Sequence, residues 1–337
     1  MSQDQSPHIA DMTQQAGPPV ATVSNVLNWP LRVSPPTRSR AEAAVVELDS
    51  VLTSSVHLLR GAMSRLIGMV VSDLRDGFQL KVAQHVEAAA AAAGRMTLHT
   101  QTLGRREREL AYLDVFLQKG VAGVIVGFAG DVTTQLLQME LVGIASVVIN
   151  PNIPTPFPSV GVDEEAGGLL AVNHLIDQGC RRIAFVGSGL KDRPVARRLA
   201  GVAIATSSRG AELEVLTAQA SSVAAGAAVG SSIAGRPSNR PDGIITMSDS
   251  LAVGIVQGLA SHGISVPADV GVVGWGDTDL AGSAPIPLTS VRQPAAAIGA
   301  MAFELLRQQI EHATVERPSG VLEFFPDLIA RKSSLRA

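Results

Sequence analysis

Cysteine is almost missing from this chain: Cys180 stands alone among 337 residues. That excludes an internal disulfide framework and fits a reducing compartment. Long apolar runs are missing as well. Hydrophobic residues make up 46% of the chain, yet Gly, Asp or Pro interrupts them before the roughly 18–20 residues needed to cross a bilayer. The opening MSQDQSPHIADM has neither a basic start nor an apolar centre, so it does not read as a secretory signal. These absences lead us to expect a cytoplasmic protein without a membrane partner. Charge is sparse at 17%, and the net value of −3 neither demands nor forbids a nucleic-acid partner.

Catalytic signatures are lacking too. No G-x-G-x-x-G follows the first strand-like run, and neither G-x-x-x-x-G-K-[ST] nor G-x-S-x-G occurs. GSG at 187–189 continues as LKD, which is no dinucleotide fingerprint. The seven histidines are scattered and, with one cysteine, give no metal-ligand spacing. The expectation is therefore a protein that is not an enzyme and needs neither cofactor nor metal.

What the chain does have is repetition of apolar runs. LIGMVV (66–71), GVIVG (123–127), ASVVIN (145–150), RIAFVG (182–187), GIITM (243–247) and VGVVGW (270–275) suit parallel strands covered on both faces. Helical segments lie between them, among them 80–94, 108–120 and 167–179. Gly94, Gly120 and Gly179 close these three, where a left-handed C-terminal position favours glycine. Repeated βαβ units over some 270 residues predict an α/β protein of two doubly wound lobes.

Residues 1–65 differ: no strand-like run occurs, and helices fit 9–16, 19–28 and 36–48, with a short fourth over 53–60. The chain thus divides into an all-α head (1–50), a linker (51–65) and an α/β remainder (66–337). At about 100° per residue, Val23, Val26 and Leu27 share one side of the second helix, while Val20, Ala21 and Asn25 lie opposite, flanked by Thr22 and Ser24. Gly17 permits the tight turn of a helix-turn-helix. In that arrangement Asn25 would meet adenine, Ala21 or Val20 a thymine methyl, and the hydroxyls of Thr22 and Ser24 the phosphates. Periodicity alone fits a plain α-hairpin equally well.

The run ATVSNVLN closely resembles the recognition helix of LacI/GalR-family transcription repressors, and VSPPTRSRAEAAVVEL resembles that family's third helix. Further matches follow in order: IGMVVSDL (67–74), GVAGVIV (120–126), HLIDQGCRRIAFVG (174–187), RLAG (198–201), SDSLAVG (248–254), VPADVGVVGWGD (266–277), PLTSVRQP (287–294) and LIARKSS (328–334). The resemblance implies a homodimeric regulator of double-stranded operator DNA, with a periplasmic-binding-protein-like effector domain. It also implies a hinge helix over 53–60, whose Leu59 would enter the minor groove, with Val56 one turn before it.

Doubly wound folds bind ligands beyond the carboxyl ends of their strands, which here carry Asp73, Asn150 and Asp249. The resemblance implies that Phe78, Asn150 and Arg198 contact a small-molecule effector, a sugar or related metabolite. Phe78 would stack on a flat face, and Arg198 would hold a hydroxyl or carboxylate. For both, a structural role is the competing expectation: an ion pair for Arg198, core filling for Phe78. A solute-binding protein of a transport system shares the two-lobe fold and is the alternative reading.

Three departures from the family pattern stand out. Pro18-Pro19 replaces the usual capping serine, which costs about 0.5–2 kcal/mol at a helix start. Five arginines and five acids leave residues 1–65 with no net charge and no lysine, which predicts weak DNA binding or a shallow salt dependence. Gly276 stands where sugar-responsive members carry an aspartate, and neighbouring Asp277 is expected to point elsewhere.

Overall fold

The computed structural model describes residues 64–336 except 128–129, 237 and 312–319. The expected DNA contacts Val20, Ala21, Thr22, Ser24, Asn25, Val56 and Leu59 lie outside the described residues.

Two six-stranded sheets organise the rest. The first holds β1 (Leu66–Val71), β2 (Met96–Gln101), β3 (Gly123–Gly127), β4 (Ala145–Ile149), β5 (Ser159–Val162) and β11 (Val321–Phe324), in the order β11-β5-β4-β3-β1-β2. The second holds β6 (Arg182–Gly187), β7 (Glu212–Thr217), β8 (Gly243–Thr246), β9 (Gly271–Trp275), β10 (Thr289–Arg292) and β12 (Asp327–Ile329), in the order β12-β10-β9-β8-β6-β7. The strand order matches between lobes, so they are structural relatives despite lacking an evident sequence repeat. They differ at one edge: β11 runs parallel to β5, whereas β12 runs antiparallel to β10.

Helices cover both faces of each sheet. On the first, α1 (Gly77–Ala92) and α9 (Ala295–Glu311) bury Val82, Val86, Ile298 and Leu306 against Ile67 and Met69. On its other face, α2 (Arg106–Lys119) and α3 (Thr133–Leu141) bury Phe116, Leu136 and Met139 against Val70, Val124 and Val126. Consecutive residues of β1 therefore feed opposite cores, which is why its sequence is apolar without alternation. In the second lobe, α4 (Glu164–Asp177) and α5 (Arg193–Ser208) pack on one face, and α6 (Val223–Ala234) and α7 (Asp249–Ala260) on the other. The short α8 (Asp279–Ser283) follows β9.

All six expected strands form, the longest mismatch being one residue at an end. Gly94, Gly120 and Gly179 adopt positive φ of 69°, 60° and 87°, as helix-terminating glycines do. The sequence reading missed β2 and β7. Both are edge strands whose residues alternate between exposed and half-buried, so neither forms a continuous apolar run. It also missed the short β5, β10, β11 and β12.

The chain passes between lobes three times: from β5 into α4, from β10 into α9, and from β11 into β12. Glycine sets the helix packing beside these passages. A Cβ on Gly168 would lie 2.2 Å from the Arg198 carbonyl oxygen, and one on Gly201 2.0 Å from that of Glu165. Helices α4 and α5 thus cross backbone to backbone, which aligns their N-terminal turns.

Candidate functional site: a cleft between the lobes

A cleft of about 750 Å³ opens between the lobes, lined by the carboxyl ends of β1, β4, β8 and β9 and the helix starts that follow them. Doubly wound folds place ligands here because the following helices begin at the same sheet edge. The volume falls within the usual range for small-molecule pockets. The five residues expected to meet an effector, Asp73, Phe78, Asn150, Arg198 and Asp249, all line it. Their surroundings assign them different capacities.

Asp73 follows β1 on a loop pinned by the Gln79 side-chain oxygen, which accepts from the Ser72 N–H and hydroxyl and from the Asp73 N–H at 2.9–3.1 Å. Arg75 donates to both Asp73 carboxylate oxygens and holds that carboxyl below its usual pKa. Asp76 caps α1 by accepting from the Phe78 and Gln79 N–H groups at 3.0 Å, while burial pushes its carboxyl up. Phe78 combines both expected roles: it is buried in the first lobe's core and still borders the cleft.

Asn150 follows β4 with φ of 46°, a left-handed conformation that asparagine tolerates better than most residues. Its side-chain oxygen accepts from Val162 N–H at 3.0 Å, tying β4 to the first passage between lobes. Its Nδ2 has no hydrogen-bond partner among the described residues.

Arg198 is buried and makes the structural ion pair, yet it also forms part of the cleft wall. Nε and Nη2 donate to Glu164 Oε2 at 3.1 and 2.8 Å, and Nη1 donates to the Met247 carbonyl at 3.0 Å. The guanidinium carbon lies 3.6 Å from the Trp275 ring centre, a cation–π stack. Gln293 donates to the other Glu164 oxygen at 3.2 Å. Burial is the largest influence on both charged partners, pushing the Glu164 carboxyl up and the Arg198 guanidinium down. A guanidinium has five N–H donors. Three serve these partners, so Arg198 keeps capacity for a ligand.

Asp249 begins α7 and is spoken for inside the protein. Oδ1 accepts from the Ser290 hydroxyl at 2.6 Å, and Oδ2 accepts from the Thr278 N–H and hydroxyl at 2.7 and 2.8 Å. Burial still raises its pKa. Its evident work is to fix the turn after β9. Gly276, in that turn, borders the cleft with φ of 111°, a conformation that disfavours any side chain. Asp277 turns away, as expected, to Arg292 and Arg331 at 2.7 Å each. His174 bonds the Ser334 hydroxyl through Nε2 at 2.7 Å.

Sequence reasoning did not single out Glu164, Gln293, Ser221 or Ser248. Ser248 caps α7 through Leu251 N–H and lies 2.6 Å from the Ser221 hydroxyl, so two helix starts bring hydroxyls to the cleft. Only the family motif around GWGD signalled Trp275. Nothing in the sequence signalled Glu164, whose partner lies 34 residues away. Among the described residues no cluster of His, Cys, Asp or Glu is arranged to hold a metal, and no helix is long and apolar enough to cross a membrane.

Comparisons with known proteins agree with this architecture. A family model described as a periplasmic binding protein-like domain matches residues 172–334. The transcriptional regulator MalR of Streptomyces coelicolor is 30% identical over 98% of this chain and 97% of its own. The transcriptional repressor PurR of Vibrio atlanticus is 27% identical over 96% and 98%. Among solved structures, the lac repressor dimer bound to operator and an anti-inducer superposes with a TM-score of 0.73 at 24% identity, over 98% of this chain and all of that one. A complex of the regulator CelR with cellobiose gives a TM-score of 0.71 at 25% identity, over 97% and 100%. With relatives matched end to end and the two-lobed cleft in place, the chain belongs to the LacI/GalR family of helix-turn-helix transcriptional regulators.

Proposed function

We propose that this protein is a cytoplasmic, homodimeric repressor that binds operator DNA through residues 1–50 and a hinge at 51–65. Its DNA affinity is set by a sugar or related metabolite bound between the lobes of residues 66–337. The observation that carries this reading is the cleft itself, at the carboxyl edges of two matched sheets in a chain that aligns end to end with DNA-binding regulators. On the DNA side the reading assigns base-edge contacts to Val20, Ala21 and Asn25, phosphate contacts to Thr22 and Ser24, and the minor-groove wedge to Leu59 beside Val56. On the effector side it gives ligand hydroxyls to Arg198, Ser221 and Ser248, and a stacking face to Phe78. Asp249 supports the wall, and Asp73 and Asn150 shape the rim. No catalytic role is assigned to any of them.

A second copy of the chain is the partner we assign to the open edge of the first sheet. Among the described residues β2 has no strand on its outer side, and its Met96 and Leu98 are 65% and 44% exposed. Leu80, on the adjoining α1, is also exposed. An unpaired edge with apolar side chains is a liability unless something covers it. Sedimentation of the intact chain is expected to give a dimer, and Leu98→Glu to give monomer.

Binding to duplex DNA by the full chain and by its Ala21→Asp variant tests the regulator reading. Loss in the variant with an intact fold supports it; equal binding by both contradicts the assignment of the second helix. A solute-binding protein would bind ligand and ignore DNA in both forms.

A further inference from the structure

The three passages between lobes run side by side and are hydrogen-bonded to one another. Asp163, on the first, donates its N–H to the Phe324 carbonyl at the start of the third, at 2.9 Å. Glu164, next along the first, accepts from Gln293 on the second at 3.2 Å. Two neighbouring arginines of α5 reach these segments. Arg198 takes Glu164 on the cleft side. Arg197, which does not line the cleft, borders a small neighbouring pocket with Gly161 and Glu323, and that pocket shares Asn150 and Glu164 with the cleft wall.

Arg197 makes a bidentate contact. Its Nη1 donates to Glu323 Oε1, its Nη2 to Glu323 Oε2 at 3.1 Å, and Nη2 also lies 3.5 Å from Asp163 Oδ1. Glu323 belongs to β11 of the first sheet, while Arg197 belongs to a helix of the second lobe, so this ion pair joins the lobes directly. Asp163 is already occupied as the cap of α4, accepting from Ala166 N–H at 3.0 Å. The carboxylate that Arg197 approaches therefore marks where the second lobe begins. The backbone-to-backbone crossing at Gly168 and Gly201 prevents α5 from sliding on α4, so both arginines move with the second lobe as one body.

The two contacts differ in strength by placement. Arg198 and Glu164 are buried, and removing one partner strands the other's charge. Arg197 and Glu323 are each 30% exposed, where water screens the pair and it breaks at small cost. Glu164 and Arg198 both belong to helices of the second lobe, so their pair holds that lobe together, while the Arg197–Glu323 pair crosses between the lobes and can open.

We infer that Arg197 is a positioning residue: its contact with Glu323 and Asp163 clasps the hinge and sets the resting angle between the lobes. Effector control by that angle rests on the reading of the cleft given above; the clasp does not. Because Arg198 is the next residue, a ligand that engages it acts on the same rigid helix.

The test is a distance measurement in the full chain. Spin labels at Leu141→Cys in the first lobe and Glu212→Cys in the second report the interlobe distance, with labelled chain diluted into unlabelled chain. Buried Cys180 stays unlabelled. The expected result is one narrow distribution for the parent, a broadened or displaced one for Arg197→Ala, and return toward the parent in the charge swap Arg197→Glu with Glu323→Arg. Arg197→Lys, which keeps the charge and loses the fork, should lie between. A distribution in Arg197→Ala that superposes on the parent overturns the inference, as does a swap that restores nothing. A lower unfolding midpoint with an unchanged distance also overturns it, since that is a purely stabilising role. A chain that binds no DNA would sink the regulator reading and leave this distance unaffected.

Discussion

Replacing Arg198 by methionine is the most informative single change in the cleft wall. Glu164 would lose its counter-ion, because Arg198 is the cation that touches it and Gln293 is the remaining partner. Breaking a buried ion pair from one side costs about 3–5 kcal/mol, since the stranded charge loses its partner without regaining water. The lost bond to the Met247 carbonyl adds roughly 1 kcal/mol. Methionine fills much of the volume and keeps a polarisable contact on Trp275, so a packing loss is not expected to dominate. Adding Glu164→Gln removes the stranded charge and leaves Gln293 an oxygen to donate to. The double variant should therefore recover about 2–3 kcal/mol, the size of coupling that contacting residues show.

The pH dependence gives an independent sign. Burial already holds the Glu164 carboxyl above its usual pKa, and Arg198 is the largest influence pulling it down. Without Arg198 that pKa rises further. A carboxyl raised in the folded state binds more protons there than in the unfolded chain, so the variant loses stability as pH rises above about 4.3. The double variant should show no such added slope. The assay is urea unfolding followed by tryptophan emission. The chain has two tryptophans, so Trp29→Phe leaves Trp275, stacked on the substituted side chain, as the reporter. Single and double variants of equal stability, with matching pH profiles, would refute the claim that the pair stands on charge compensation.

Other consequences follow from packing and protonation. Gly168→Ala places a Cβ against the Arg198 carbonyl oxygen and should destabilise the second lobe by about 1–3 kcal/mol or more in the same unfolding assay. Gly276→Ala should cost about 1–3 kcal/mol because φ there is 111°, whereas Gly282→Ala, with nothing near its Cβ, should cost under about 1 kcal/mol. Burial pushes the Cys180 thiol up to about 11, so at pH 8 a disulfide reagent should modify it only as fast as the second lobe opens. Rapid modification of folded protein would contradict that environment.

Buried strands were legible in the sequence because a strand covered on both faces must be apolar at every position, as β1, β3 and β9 are. β2 and β7 were not, since an edge strand is half solvated and its composition resembles a loop. At the cleft, strand ends pointed to Asp73, Asn150 and Asp249, and family motifs added Phe78 and Arg198. Composition carried no trace of how each is employed. Asp249 reads as a free carboxylate in SDSLAVG, but three donors from residues 29 and 41 positions away consume it. Glu164 and Gln293 were silent because their role depends on two passages meeting, a contact between residues 129 positions apart. The glycine at 276 was legible as a missing carboxylate. Its backbone angle supplies the physical reason, since a side chain there would be strained.

Selection of genomic fragments by the purified full chain, followed by titration of the best fragment at several salt concentrations, tests the central proposition most directly. We predict enrichment of short near-palindromic sites. With five cations in residues 1–65, the salt slope should be no steeper than about −4.5 per chain. A well-folded chain that retains no fragment, even at low ionic strength, would contradict the account.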